Sequence, residues 1–175
     1  MSFKDILAQP YAVETLQKAI KADALSGPYL FSGPLGVGKR FTARELAKAI
    51  NCERSAGDAC DHCSSCRKMD GGNHPDLLWV EPKSETAQLP IEAIRELKKE
   101  ITLRPWEGKK RVVVLVEAER ATEAAQNAFL KMLEETPFGS LILLTSVKNE
   151  GILPTVLSRC KLIRFGPVPQ EAIQQ

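Results

Sequence analysis

Residues 33–40 read GPLGVGKR, which is the spacing of a phosphate-binding loop up to its last position. In such a loop the glycines let backbone N–H groups turn toward phosphate, and the lysine reaches the β and γ phosphates. A serine or threonine hydroxyl normally follows and binds magnesium, but this chain has arginine there. The pattern predicts a nucleotide site without that hydroxyl. Its predicted contacts are Gly33, Gly36, Gly38, Lys39 and Arg40.

Thr42 is not an obvious substitute for the missing hydroxyl, because two residues along a helix rotate a side chain by about 200 degrees. Around the loop, short apolar runs alternate with helical patterns. The predicted strands are 29–32, 77–81, 111–116, 141–146 and 162–165. The predicted helices are 11–22, 39–50, 91–103 and 122–135. This alternation indicates an α/β fold, with a mainly parallel five-stranded sheet covered by helices.

The composition is that of one globular domain, with 175 residues, 43% hydrophobic and 26% charged. The formal net charge of +2 is too small to indicate nucleic-acid binding. The N-terminus lacks a basic segment followed by an apolar stretch, and no apolar run is long enough to cross a bilayer. We therefore expect a cytoplasmic protein without a membrane partner.

Four of the five cysteines form the pattern C-x7-C-x2-C-x2-C. They are Cys52, Cys60, Cys63 and Cys66. Because disulfides are rare in the cytosol, clustered thiols there indicate metal binding. Four thiolates favour structural zinc, since a complete ligand set leaves no open position for catalysis. The predicted zinc insertion covers about residues 51–72.

An iron–sulfur cluster and free thiols are the alternatives to zinc. Bacterial ferredoxins continue this spacing with a cysteine and a proline, where the chain has Asp70 and Gly71. His62 and His74 are possible replacements for a thiolate. With four cysteines present, we expect both histidines to face solvent in loops.

An acidic residue follows the most apolar predicted strand, 111–116. In working P-loop ATPases one carboxylate there helps to hold magnesium, and the next polarises the attacking water. Val116 occupies the first position and Glu117 the second, but a shift of one residue makes Glu117 the metal-binding acid. The strand alone leaves both registers open, and also a solvent-facing glutamate without a role.

Six segments, some of them already described, occur in a fixed order along the chain. They are FKDILAQ (3–9), the segment 29–39, the four-cysteine insertion, EAER (117–120), NAFLKMLEE (127–135) and LSRC (157–160). In this combination the chain resembles the N-terminal AAA+ domain of bacterial DNA polymerase III clamp-loader subunits, most closely the delta prime type. The resemblance covers essentially all residues, and its most specific element is the cysteine insertion combined with Ser158-Arg159-Cys160.

The resemblance implies a P-loop NTPase domain over residues 1–166, then a linker and the start of a lid domain over 167–175. It places Val116 at the metal-binding aspartate and Glu117 at the catalytic glutamate, so both direct magnesium ligands would be missing. Glu117 would be vestigial, and ATP or ADP would bind weakly with little dependence on magnesium. Thr145 or Ser146 would read the γ phosphate.

Arg159 carries the main function that the resemblance implies. In the family this arginine enters the ATP site of a neighbouring subunit, where a planar, permanently charged group can align with phosphate oxygens. Cys160 would pack beneath it as a small apolar residue. The implied partners are gamma or tau and delta subunits, with the sliding clamp and primed DNA reached through the complex. We expect a non-motor subunit in DNA replication with little or no ATPase activity of its own.

Two other functions stay open. A gamma or tau type motor with an unusual loop would hydrolyse ATP. A zinc-stabilised nucleic-acid-binding module on an inactive P-loop fold would bind DNA by itself. The small net charge and the aromatic content of 6% weigh against the module.

Overall fold

A five-stranded sheet forms the centre of the computed structural model, which describes residues 1–55 and 57–169. The strands are β1 (Pro28–Ser32), β2 (Leu77–Val80), β3 (Arg111–Leu115), β4 (Ser140–Ser146) and β5 (Lys161–Arg164). Their order is β2-β3-β4-β1-β5, and every pair is parallel. The predicted α/β fold is confirmed, with each strand within one residue of its expected ends.

Helices cover the sheet on both sides. They are α1 (Pro10–Lys21), α2 (Lys39–Asn51), α3 (Ser64–Asp70), α4 (Ile91–Ile101), α5 (Glu123–Glu134) and α6 (Pro154–Leu157). The four predicted helices are confirmed, whereas α3 and α6 were not predicted. In the described ranges, each helix is too short or too polar to traverse a lipid bilayer. Residues 170–175, part of the predicted linker and lid, lie outside the described ranges.

Strand β3 is buried on both faces. Val112 and Val114 pack with α1 and α2, while Val113 and Leu115 pack with α4 and α5. Strands that are buried on both sides need apolar residues at every position, which explains the continuous run in the sequence. The sheet therefore separates two apolar cores.

A buried lysine joins α2 to the cysteine insertion and to the start of the chain. Lys48 Nζ donates to Met1 O over 2.5 Å and to Asp61 Oδ1 over 2.6 Å, and it lies 2.9 Å from Asp70 Oδ1. It also lies 3.1 Å from the buried Glu45 carboxylate. Burial raises the pKa of Glu45 to about 6, although Lys48 opposes this shift.

Candidate phosphate-binding site and cysteine cluster

The GPLGVGKR loop lies at the carboxyl edge of the sheet. It connects the end of β1 at Ser32 to the start of α2 at Lys39. Val116 and Glu117 follow β3 at the same edge, and Thr145 lies near the end of β4. Ligands of open parallel α/β sheets bind outside this edge, so the topology brings the predicted residues to the expected place.

Two glycines are required by the shape of the loop. A Cβ on Gly33 would lie 2.3 Å from the carbonyl oxygen of Phe165, so a larger residue would collide with the chain after β5. Gly38 has φ +93° and precedes α2 without a side-chain cap. The N–H groups of the first turn of α2 are therefore oriented to bind an anion.

Lys39 is turned back onto its own loop. Its Nζ donates to Gly33 O over 2.7 Å and to Pro34 O over 2.5 Å. Burial lowers the pKa of Lys39, and the nearby carboxylates of Glu119 and Glu117 partly oppose this. A bound phosphate would have to replace the two carbonyl oxygens as the partner of the ammonium group.

Arg40 points away from the loop toward the edge strand β2. Its Nη2 is paired with Glu81 Oε2, just beyond the end of β2. The guanidinium carbon lies 6.0 Å from the centre of the Trp79 ring, within the range of a cation–π contact. The residue that replaces the magnesium-binding hydroxyl is thus engaged elsewhere.

Neither Thr42 nor Val116 offers an oxygen to magnesium at this site. The Thr42 hydroxyl donates to Gly38 O over 2.9 Å within α2. Val116 is 1% exposed and packs in the core below the loop. The expectation that Thr42 does not replace the missing ligand agrees with this geometry.

Glu117 is held beside the site by an arginine from its own turn. Its Oε2 accepts from Arg120 Nη1 over 2.6 Å, and its φ of +53° places the backbone in the left-handed region. Its N–H donates to Thr145 Oγ1 over 3.1 Å. Arg120 also donates to Ser84 O and Ala87 O, so it fixes the chain between β2 and α4 as well.

Two adjoining cavities flank the loop. The first, of about 250 Å³, is lined by Leu35, Gly36, Gly38, Lys39, Arg40, Phe41, Val116, Glu117, Thr145 and Val147. The second, of about 310 Å³, is lined by Asp5, Ile6, Leu7, Gly36, Val37, Gly38, Phe41 and Val168. Gly36 and Gly38 line both cavities, whereas Lys39 lines the first alone, and the second is otherwise mostly apolar.

Sequence reasoning assigned no role to the apolar residues that line the second cavity. Ile6 and Leu7 lie in the quoted FKDILAQ segment, and Val168 comes from the other end of the chain. Gln9 holds these two parts together: its side chain donates to Gly166 O over 2.8 Å and accepts from Gly166 N over 3.0 Å. Apolar periodicity does not distinguish such a wall from ordinary core, so no sequence signal identified it.

The two candidates for reading a γ phosphate lie in different surroundings. Thr145 lines the first cavity, and its hydroxyl accepts from the Glu117 N–H. Ser146 donates to Lys148 O over 2.7 Å and is outside both cavity linings. The geometry favours Thr145, while a role for Ser146 stays a prediction.

A larger cavity, of about 720 Å³, lies at the opposite edge of the sheet. Its walls include Gly27, Lys110 and Gly139, which precede β1, β3 and β4. None of the predicted nucleotide-site residues lines this cavity. The size of a cavity is therefore not a guide to the predicted site in this structure.

The four predicted metal ligands come together in the structure. The Sγ atoms of Cys52, Cys60, Cys63 and Cys66 all lie within 4.8 Å of one another. A tetrahedral site with bonds of about 2.3 Å separates its sulfurs by about 3.8 Å, so the four thiols fit zinc. The Cys63 and Cys66 N–H groups donate to Cys60 Sγ and Cys63 Sγ, each over 3.4 Å. This cluster can bind a metal ion.

The thiols of the cluster differ in their tendency to ionise. Burial opposes ionisation of Cys52, but backbone N–H groups outweigh it and lower the pKa of this thiol. Burial raises the pKa of the Cys66 thiol well above its usual range. A metal would displace protons from such thiols, so its binding would depend on pH.

The prediction that both histidines face solvent is right for His62 and wrong for His74. His62 is exposed, whereas His74 is 3% exposed. His74 Nε2 lies 3.1 Å from Ser65 Oγ, and its Nδ1 accepts from the Asp76 N–H over 3.1 Å. These two partners satisfy both ring nitrogens and allow the ring to be buried.

Arg159 lies in the turn between α6 and β5. Its Nη1 donates to Thr155 O over 2.8 Å, and its Nη2 donates to Glu134 Oε1 over 2.5 Å. Its side chain is 36% exposed, and it borders neither cavity beside the phosphate-binding loop. The next residue, Cys160, packs against the core of α4 and α5, and burial raises its pKa to about 11.

The sequence profile of the family described as "DNA polymerase III, delta subunit" matches residues 8–169. The chain belongs to this DNA polymerase III delta subunit family. This match confirms the resemblance drawn from the ordered segments. It covers the phosphate-binding loop, the cysteine cluster and Arg159.

Proteins similar to the chain in sequence include both delta prime and tau subunits. The DNA polymerase III subunit delta' of Bacillus subtilis is 32% identical over 166 residues, 95% of this chain and 50% of the relative. Subunit tau of the same organism is 31% identical over 172 residues, 98% of this chain and 30% of the relative. Subunit delta' of Pseudomonas aeruginosa is 36% identical over 133 residues, which are 75% of this chain and 40% of the relative. The chain spans half or less of these relatives.

Solved structures agree with the family assignment and the fold. A DNA polymerase III gamma subunit-related protein from Thermotoga maritima gives a TM-score of 0.62 at 25% identity, covering 91% of this chain and 47% of that one. The RuvB Holliday junction branch migration motor of the same organism gives a TM-score of 0.59 at 14% identity. The match covers 92% of this chain and 45% of that one. The RuvB likeness shows the fold alone.

Proposed function

We propose that this chain is the nucleotide-fold part of a delta prime-type clamp-loader subunit that does not act as the motor. It completes a ring with gamma or tau and delta subunits in the cytoplasm. Through that complex it helps to load a sliding clamp on primed DNA. The observation that carries this proposal is the loss of both direct magnesium ligands, at Arg40 and Val116.

The surroundings of these two positions support a passive site. Arg40 is paired with Glu81, Val116 is buried in the core, and Arg120 holds the Glu117 carboxylate. Magnesium positions and neutralises phosphate oxygens during phosphoryl transfer. A site without its ligands retains Lys39 and the loop N–H groups for binding. It lacks the groups that hydrolysis requires.

Arg159 supplies the active contribution in this proposal. Its position outside both cavities suits an arginine that acts on a neighbouring subunit. Such an arginine accelerates phosphoryl transfer on the order of a thousandfold or more in GTPases. To reach a partner, Arg159 would have to leave the Thr155 carbonyl and Glu134, and both contacts are exposed to solvent.

The test is the DNA- and clamp-stimulated ATPase activity of the assembled complex. We expect Arg159→Ala to lower it strongly, and the matched control Arg164→Ala, an exposed arginine on β5, to leave it near wild type. Unchanged activity of the Arg159→Ala complex would sink the proposal.

A gamma or tau type motor is the second candidate, because subunit tau of Bacillus subtilis matches the chain almost as well as subunit delta'. ATP turnover by the purified protein, abolished by Lys39→Ala, would favour the motor. We expect no turnover above that of the Lys39→Ala variant.

We further propose that the four cysteines hold structural zinc. The thiol separations and the complete ligand set support this assignment over a catalytic metal. Zinc would join the segment after α2 to α3 in an insertion with few apolar residues of its own. Metal analysis of the purified protein tests the assignment directly.

A further inference from the structure

The carboxylate of Glu81 is shared by two donors from different parts of the fold. Arg40, at the start of α2, pairs with its Oε2, and Trp79 Nε1 donates to the same oxygen over 3.0 Å. Arg44, one turn further along α2, lies 5.3 Å from the centre of the Trp79 ring. Trp79 thus contacts Arg40, Arg44 and Glu81, and Glu81 is the carboxylate of this cluster.

This cluster borders the phosphate cavity from outside. Arg40 lines the 250 Å³ cavity together with Lys39, whereas Glu81 is not part of its lining. Arg40 therefore occupies the rim, with its backbone in the phosphate-binding loop and its guanidinium drawn away to β2. The flexible side chain of an arginine can exchange between two such partners without a backbone change.

A carboxylate and a phosphate compete for a guanidinium by the same chemistry. Both present oxygens that accept the paired N–H groups of arginine. A polyphosphate carries more charge than a carboxylate, and it would be held in addition by Lys39 and the loop N–H groups. Magnesium would weaken this competition, because it neutralises the oxygens that Arg40 would bind.

We propose that Glu81 is an internal competitor that holds Arg40 outside the phosphate cavity until a magnesium-free polyphosphate draws the guanidinium inward. This inference rests on the proposed passive nucleotide site and names its ligand class, a nucleoside di- or triphosphate without its metal. Arg40 then supplies the positive charge that magnesium supplies in a working site. Glu81 and Trp79 set how readily it does so.

The size of the effect follows from exposure. The side chains of Arg40 and Glu81 are 55% and 43% exposed. Exposed ion pairs of this kind contribute between about zero and 1 kcal/mol, and 1 kcal/mol corresponds to about a fivefold change in affinity. Removing the Glu81 charge should therefore raise polyphosphate affinity by up to about fivefold. Removing Arg40 should lower it by about tenfold, as expected for a charge-assisted hydrogen bond.

The experiment titrates the full chain with ATP, ADP and inorganic tripolyphosphate, in EDTA and in magnesium chloride, by calorimetry. The variants are Glu81→Gln, Arg40→Ala and, as a matched control, Glu14→Gln, whose carboxylate pairs with Lys18 on α1. We expect Glu81→Gln to bind more tightly, with a larger gain in EDTA than in magnesium. Arg40→Ala should bind more weakly, and Glu14→Gln should match the wild type.

Trp79 gives a second readout that does not depend on affinity. The chain has two tryptophans, so Trp106→Phe leaves Trp79 as the single indole emitter. Its emission should change when ATP draws Arg40 from Glu81, and this change should vanish in Arg40→Ala. Equal affinities for ATP and tripolyphosphate would mean that the protein binds only the phosphates. Tighter binding of ATP would mean that the base also binds, in the apolar cavity.

Equal ATP affinities of the wild type, Glu81→Gln and Glu14→Gln in EDTA would overturn the competitor role. So would a Trp79 emission that ATP does not alter while calorimetry records binding. Neither result affects the role proposed for Arg159, which is read separately from the ATPase activity of the assembled complex. Failure of the wild type and of Glu81→Gln to bind any polyphosphate would overturn the inference together with the passive nucleotide site.

Discussion

The Arg159 guanidinium donates to the Glu134 carboxylate over 2.5 Å, so the end of α5 orients a residue of the turn between α6 and β5. Their side chains are 36% and 47% exposed. An ion pair with this much contact to water contributes little to stability. The pair holds Arg159 in place on the surface, but the stability of the fold does not depend on it.

Glu134→Gln should therefore lower the free energy of unfolding by less than about 1 kcal/mol. Urea denaturation monitored by circular dichroism measures this change. Arg159→Ala should behave in the same way in the free protein, even though we expect it to lower the ATPase activity of the complex. A loss above about 2 kcal/mol for either variant would mean that the pair is part of the fold.

Asp76→Asn should be far more damaging, with a loss of about 3–5 kcal/mol. Asp76 is fully buried and accepts from the N–H groups of Trp106, Glu107 and Gly108 over 2.7, 2.9 and 2.8 Å. The substitution would leave the buried Arg111 without its counter-ion. Asp23→Asn, at a carboxylate that is 92% exposed, is the matched control and should cost little in the same urea titration.

The same carboxylate predicts a dependence of stability on pH. Burial opposes ionisation of Asp76, but the three N–H groups and Arg111 outweigh it and lower its pKa. Its contribution is present above the unfolded-state pKa of about 3.9, and it is lost as the pH falls through the lower folded-state value. Unfolding free energies measured across this acid range should fall more steeply for the wild type than for Asp76→Asn. Parallel curves would contradict the assignment.

Metal analysis should find about one zinc ion per chain. Cys60→Ser should lose it, whereas Cys160→Ser, outside the cluster, should retain it. Chelation should loosen the insertion, because metal binding contributes on the order of 10 kcal/mol in isolated zinc modules. Iron in place of zinc, together with visible absorbance, would instead support an iron–sulfur cluster. Equal metal contents of the two variants would exclude these four cysteines as the ligands.

Restoring both magnesium ligands should make nucleotide binding depend on the metal. In Arg40→Ser combined with Val116→Asp, magnesium should tighten ATP binding by at least about tenfold, or 1.4 kcal/mol. In the wild type the affinity should change little. Calorimetry with and without magnesium measures both, and circular dichroism checks that aspartate at the buried position 116 is tolerated. A steep rise of wild-type affinity with magnesium would contradict the passive site.

Local patterns in the sequence were sufficient for the sheet, the longer helices and the thiol cluster. The apolar run 111–116 predicted β3 because a strand that is buried on both faces has no polar side. The four residues of α6 are too few to show a helical period, and α3 lies among cysteines that obscure one. His74 was misjudged because its partner Ser65 is nine residues away and becomes a neighbour only after folding.

The orientation of the Arg40 side chain likewise depends on a residue that is distant in the sequence. The loop spacing predicted where this arginine begins, at the rim of a phosphate site. Its partner Glu81 lies 41 residues further along the chain and becomes a neighbour only after folding. Likewise, Ile6 and Val168 form one wall because Gln9 joins distant parts of the chain at Gly166.

The helix α2 begins in the phosphate-binding loop, at Lys39, and ends one residue before the first thiol of the cluster, Cys52. A helix of this length is a rod of roughly 20 Å. One rigid helix therefore carries the first-turn N–H groups of the loop at one end and adjoins the cysteine cluster at the other, which fixes the distance between the two predicted sites.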